Sequence, residues 1–235
     1  MALGAPPLAH AAGGRARRRA VRLTGAALAL VLATAAAAAE PLDVLPEPYR
    51  RAALAGDVGR VVGSAREEPR RPTEAGRPLV GTAVTAVPRS AAFLGRLEEI
   101  RRTARSSPAA YRVSALALRR AREAYEQALW EAGYPELARV TSVDATGAFT
   151  LDDVPAGQWV LVASRTVFVD KPSPREPRRR LRAFSRDTRM IGYHAVSVWL
   201  SELTVGRGRT EAVELTDRSV WLTGIEEERV PDAGR

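Results

Sequence analysis

The chain has 235 residues, no cysteine, two histidines and a formal charge of +9. Disulfide scaffolds, thiol nucleophiles and imidazole-rich zinc sites are excluded at the outset. Five of the positive charges, Arg15, Arg17, Arg18, Arg19 and Arg22, lie before residue 40, and the +4 left for the remainder does not point to nucleic acid.

The predicted elements begin with a targeting segment. "RARRRAVR" is cationic, "LTGAALALVLATAAAAA" is uncharged and Ala-rich, and Ala37 and Ala39 form a small-x-small cleavage pattern before Glu40. Residues 1–39 read as a secretory signal peptide, so the mature chain is expected to be exported, periplasmic or secreted. The alternative is an uncleaved N-terminal membrane anchor, on a run that is short and weakly apolar for a span. Residues 40–56 hold the proline-rich "PLDVLPEP" and read as a linker with room for one short helix over "PYRRAALAG".

From residue 57 the pattern is that of strands. "DVGRVVGSA" and "LVGTAVTAV" are short, β-branched and separated by a turn rich in Pro and Gly. Residues 90–135 change period. Phe93, Leu94, Leu97 and Ile100 recur at helical spacing behind Ser90 as N-cap, and Tyr111, Leu118, Tyr125 and Leu129 recur behind Ser107 and Pro108. Gly133 and Pro135 stop the second helix, so a helical hairpin is inserted between strands. Strands resume at Leu137 to Val143, "AFTL" and "QWVLVASRTVFV", joined by the turns "DATG" and "DDVPAG". An Arg-rich loop, 171–189, follows. "GYHAVSVWLSELTV", "TEAVELT" and "SVWLTGI" complete the strands, and residues 226–235 read as a loose charged tail.

Several of these stretches together carry a resemblance. "RVVG", "GRPLVGTAVTAV", "VTSVDATGAFTLDDVPAGQWVLVAS" and "LTVGRGRTEAVELT" resemble the carboxypeptidase regulatory-like family of transthyretin-like β-sandwiches, across most of residues 57–216. The best-matching positions are Asp144, Gly147 and Phe149, then Val154, Pro155, Ala156 and Gly157, with Trp159 where the family usually has Tyr. The helical hairpin and the strand around Trp221 depart from its compact form. The resemblance implies a mainly β fold, an antiparallel sandwich of about seven or eight strands over residues 57–225, in which Asp144, Gly147, Pro155 and Gly157 make turns. Phe149, Leu151, Trp159 and Leu161 then fill the core at period two. It implies no activity, because such domains are appended to many unrelated proteins.

Chemistry-bearing residues are few. His194 is the one histidine beyond the signal segment, and a lone histidine on a strand reads as a packed side chain. H-E-x-x-H, G-x-S-x-G and phosphate-cradling glycine loops are absent from the sequence. Asp152 and Asp153, near Asp144, suggest a calcium site, but turn chemistry explains the same residues without a metal. No carboxylate pair is singled out for hydrolysis. The expectation is therefore a non-catalytic chain with no cofactor and no metal.

Two features suggest binding. Arg178, Arg179, Arg180 and Arg182 concentrate charge in the Arg-rich loop, which suits an anionic surface or an acidic partner. Trp199 and Trp221 fall on the polar parity of their strands, beside Ser197, Ser201, Ser219 and Thr223. Two outward rings would form a platform for sugars; a hairpin laid across that face would bury them instead. The expected function is an exported β-sandwich interaction module for an unknown protein or a polysaccharide outside the cytoplasm. The alternative is a carbohydrate-binding module using the two tryptophans.

Overall fold

Alternating burial along extended segments dictates most of the architecture. The computed structural model describes residues 42–69, 71, 76–170 and 188–231. In chain order come helix α1 (Glu47–Leu54), strands β1 (Val58–Arg66) and β2 (Ala83–Pro88), and helices α2 (Ala91–Ala104) and α3 (Pro108–Glu131). A 3-10 turn (Pro135–Leu137) leads to β3 (Arg139–Ser142), β4 (Ala148–Pro155), β5 (Gly157–Asp170), β6 (Thr188–Val205), β7 (Thr210–Thr216) and β8 (Leu222–Pro231). The strands form a three-stranded sheet, β4-β1-β7, and a five-stranded sheet, β3-β2-β5-β6-β8. The fold is a mainly β sandwich with an α-helical hairpin inserted between β2 and β3. Among the described strands, pairing is antiparallel except for β1 and β7, which run parallel from Arg60 opposite Thr210 to Arg66 opposite Thr216.

Period-two alternation decides what lies between the sheets. The small sheet contributes Val61, Ala65, Phe149, Leu151, Val213 and Leu215, all buried. Phe149 fits because its cross-strand neighbour is Gly63, where a Cβ would stand 2.1 Å from the ring. The large sheet contributes Val84, Ala86, Trp159, Leu161, Ala163 and Trp199. The indole N–H of Trp159 donates to the Pro155 carbonyl at 2.9 Å, and that of Trp199 crosses to the Thr216 carbonyl on β7 at 2.7 Å. Both polar tips are therefore satisfied in the dry interior.

The other face of the large sheet lies under the hairpin. Ala115 and Leu118 of α3 approach Val162, Val196 and Val198, and α3 crosses β8 at Gly224, where a Cβ would sit 2.9 Å from that of Ala115. Ser90 and Ser107 accept the N–H groups of Phe93 and Ala110 at 2.9 and 3.1 Å, capping both helices. Phe93 and Tyr125 stack at 4.8 Å between ring centroids, and the Tyr125 hydroxyl donates to the Pro88 carbonyl at 3.0 Å. With a layer on each side, Trp159 to Ala163 are buried at every position. Fully burying each such large apolar side chain is worth roughly 1.5–3 kcal/mol.

Three expectations are corrected. Residues 42–56 are not a linker. Tyr49 on α1 is buried edge-on against Trp159 at 5.3 Å, and its hydroxyl donates to the Gln158 carbonyl at 2.7 Å. Its ring occupies the space above Gly157, where a Cβ would be 2.5 Å away. Residues 226–231 are not a loose tail, because β8 continues to Pro231 along β6. "DDVPAG" is not all turn either. β4 runs to Pro155, and a bulge between the pairs Gly59–Val154 and Val61–Leu151 absorbs the two aspartates, with Asp153 at φ +54°.

Candidate functional site

β5 and β6 pair from Gly157 opposite Val205 to Asp170 opposite Gly192, and β8 adds a third strand from Leu222 opposite Val198 onward. The small sheet is shorter. Its C-terminal strand end, Thr216, meets the large sheet at Trp199, and the helical hairpin meets β8 at Gly224. Beyond those contacts the three strands continue as a ribbon. Its cross-strand rows alternate between faces: Val167, Ala195 and Ile225 on one, and Phe168, His194 and Glu226 on the other.

Burial falls away along β5 without a matching change in polarity. Val167 is 38% exposed and Phe168 47%. The Phe168 ring tilts against the His194 imidazole at 5.3 Å and lies over Gly192, where a Cβ would be 2.6 Å from it. A strand covered on one face alternates apolar and polar residues, whereas Val167, Phe168 and Val169 run consecutively. Val167 and Phe168 are exposed and Val169 is half-buried, and adjacent exposed apolar residues are a defect unless they have a use. That run was the signal available in the sequence, in "RTVFVDK", and reading it only as the end of a long strand missed it.

Three acidic side chains of β8 on this ribbon are paired. Glu226 meets Arg119 of α3 at 3.1 Å, Glu227 meets Arg229 at 2.7 Å and Arg112 at 3.7 Å, and Glu228 meets His194 at 3.1 Å. These pairs explain why so charged a segment holds strand conformation. They also guard the long β8 edge against strand addition.

The residues singled out from sequence fall elsewhere. Trp199 is 2% exposed and faces the small sheet, on the opposite parity from the one expected. The apolar face of Val196, Val198 and Leu200 looks toward the helices, and the flanking serines share the interior side with the ring. Trp221 precedes β8, is half-buried, and lies under the Arg101 guanidinium at 5.2 Å. The two rings make no exposed platform. Arg178, Arg179, Arg180 and Arg182 lie outside the described residues. Phe149, Leu151, Trp159 and Leu161 sit between the sheets.

Asp144 organises its turn: one carboxylate oxygen accepts the Thr146 N–H at 2.8 Å, the Thr146 hydroxyl at 2.7 Å and the Ala148 N–H at 2.9 Å. Those bonds, the Ala148 N–H foremost, hold its carboxyl below the usual range, and Gly147 takes φ +84°. Pro155 and Gly157 flank the β4–β5 connection.

Asp152 and Asp153 lie at the far end of β4 from Asp144, so the three carboxylates do not converge. Among the described residues no group of three or more His, Cys, Asp or Glu side chains could hold a metal ion. Asp152 pairs with Arg60 at 2.5 Å and the Asp153 carbonyl accepts from Arg139 at 3.0 Å. With Val58, Gly59, Gly208, Arg209 and Thr210 they line an open cleft of about 510 Å³, without an aromatic ring. A second space, about 60 Å³ beneath α3, is rimmed by Arg119, Arg122, Ser164, Thr166 and Glu226 and has room for only one or two waters.

No family model matches the chain, and no curated protein matches it. Among solved structures, a crystal structure of a Pseudomonas aeruginosa protein to which carbohydrate binding has been ascribed is similar at a TM-score of 0.38 and 14% identity. That likeness covers 74% of this chain and 99% of the other.

Proposed function

We propose that the chain is an exported, non-catalytic interaction module that docks its partner at the outer end of the β5–β6–β8 ribbon. The observation that carries the reading is the exposed pair Val167 and Phe168, one on each face, beyond the small sheet and where the hairpin reaches β8 through Arg112 and Arg119. The cationic and Ala-rich start of the sequence supports export. The motif positions around Asp144, Gly147, Phe149 and Trp159 support kinship with carboxypeptidase regulatory-like sandwiches, which serve as appended modules. Glu226 and Glu227 of the ribbon are held in ion pairs with arginines, which supports a structural rather than a catalytic use for them.

Site-specific photo-crosslinking tests this. A photoreactive residue at Phe168 is expected to capture a partner in the producing cell. The same residue at Leu54, 83% exposed on α1, is expected to capture none. Equal capture at both positions, or none at either, would remove the ribbon as the docking surface.

A second reading is favoured by the cleft at Arg60 and Asp152. Alternating carboxylate and guanidinium groups suit the donor and acceptor pairs of a sugar. Retention on insoluble polysaccharide or peptidoglycan should then be lost in an Arg60→Ala, Asp152→Ala double variant. Retention unchanged by that variant, or absent in the parent, would end the sugar reading at this site.

A further inference from the structure

We infer that the outward face of α3 is an interface at which two copies of this chain pack antiparallel about a two-fold axis, independently of the ribbon. The helix turns Ser114, Ala115, Leu118, Tyr125 and Leu129 inward, and all five are buried. Its other side carries Val113, Leu116, Arg120, Glu123, Gln127 and Trp130, spaced alternately by three and four residues. That is the spacing of a coiled-coil seam, and it keeps one line of side chains together over about five turns. A helix face that meets only water has no need of apolar groups along such a line. Here Val113 is 59% exposed at one end and Trp130 55% at the other, with Leu116 half-buried between them.

The order of residues along the seam identifies the occupant as a second copy. Turning the helix end for end sets Val113 opposite Trp130 of the second copy, Leu116 opposite its Gln127 and Arg120 opposite its Glu123. The two-fold axis then repeats each pair, as a self-complementary patch requires. A parallel arrangement would instead set arginine on arginine and glutamate on glutamate, so charge selects the antiparallel one. Arg120 is exposed and has no ion-pair partner among the described residues, and Glu123 meets Arg119 only at 3.8 Å. Both are thus open to a partner across the axis. The same operation brings Arg119 beside its own counterpart, and Glu226 neutralises it at 3.1 Å. Tryptophan is the side chain most often found anchoring such interfaces. One helix face from each copy makes a small interface, so a dimer of micromolar affinity is expected.

The test is sedimentation of the purified protein across the micromolar range, with a pair of charge reversals. The parent is expected to pass from monomer to dimer as concentration rises. Arg120→Glu puts like charges opposite each other twice and should weaken the dimer roughly tenfold or more. Arg120→Glu combined with Glu123→Arg restores both pairs in the reverse sense and should bring the dimer back. A second measurement uses a chain that has no cysteine of its own. Ala124 lies beside its counterpart at the axis, so Ala124→Cys should give a disulfide-linked dimer on oxidation. Leu54→Cys, at a site 83% exposed on α1, should not. A parent that stays monomeric, a dimer unaffected by Arg120→Glu, or one that the double reversal fails to restore overturns the inference. If a charge variant loses its circular dichroism, the cysteine variants decide. Linking at position 124 and not at 54 upholds the interface; linking at neither, or equally at both, overturns it.

Discussion

Two halves of one strand, β5, share an apolar composition and differ in what surrounds them. From Trp159 to Ala163 the strand lies between the small sheet and the helical hairpin, and every side chain is buried. From Thr166 to Phe168 all three residues are exposed. An unbroken apolar run therefore has two physical meanings: a strand covered twice, or a strand whose end extends past the layers that the described residues form. The distinction depends on how far the neighbouring layers extend, which is set by β7 ending at Thr216 and α3 crossing at Gly224.

The largest effect that would sharpen this contrast is expected in the inner half. Trp159→Ala removes a fully buried ring packed on Tyr49 and should cost about 3–5 kcal/mol, enough to unfold many domains of this size. Urea denaturation followed by circular dichroism measures it. A cost under about 1 kcal/mol would mean that the ring is not the centre of the core.

Next comes the covering layer. Gly224→Val places methyl groups where α3 crosses β8 and should cost about 1–3 kcal/mol through overpacking. Hydrogen exchange should then rise along α3 and the ribbon more than in β1 and β4. Uniform exchange across both sheets would show that the hairpin is not a separable layer.

Much of this arrangement was legible in the residues, for local reasons. Ser90, Ser107 and Pro108 announce two helix starts, Asp144 and Gly147 announce a turn, and period two places Phe149 and Leu151 inward. What was not legible depended on layers far apart in sequence. Trp199 sits beside serines and looks solvent-facing, yet its side faces the small sheet, because β6 is covered on both faces there. Tyr49 looks like part of a proline-broken linker until Gly157 and Trp159, more than a hundred residues later, provide its socket. Glu226 to Glu228 look like a solvated tail until Arg112 and Arg119 of an inserted helix meet them. The proposed docking surface was hidden for the converse reason. Val167 and Phe168 look like any other strand residues, and only the reach of the other layers shows that they are exposed.

A smaller effect is expected where α2 begins. Ser90→Ala removes the N-cap and should cost about 1 kcal/mol near neutral pH. Asp43, in the segment before α1, reaches the same turn, accepting the Ala92 N–H at 2.7 Å and the Ser90 hydroxyl. Burial opposes its charge, but those hydrogen bonds together hold its carboxyl below the ordinary 3.8. An acid lowered on folding stabilises the fold above its unfolded value, and that contribution is lost as pH falls through the folded value. The part of the Ser90→Ala penalty that comes from Asp43 should thus be present at neutral pH and fade below 3.8. A penalty that does not change from neutral to strongly acid pH would separate the cap from the carboxylate.

The smallest effect is the most informative about the ribbon. Val162→Ala and Val167→Ala are the same chemical change in the same strand, five residues apart. At Val162, 1% exposed, the lost methyl groups leave a cavity under α3, and about 2 kcal/mol should go with them. At Val167, 38% exposed, water already reaches the side chain, so the change should stay within about 0.5 kcal/mol. Paired urea titrations with equal m-values measure the difference directly. Equal costs at the two positions would mean that the outer ribbon is covered by something in solution, a second copy or another part of the chain. Its apolar run would then belong to the fold and would not be free to dock. A Val167 cost near zero leaves the apolar run without a stabilising role, which is what a surface kept for a partner requires.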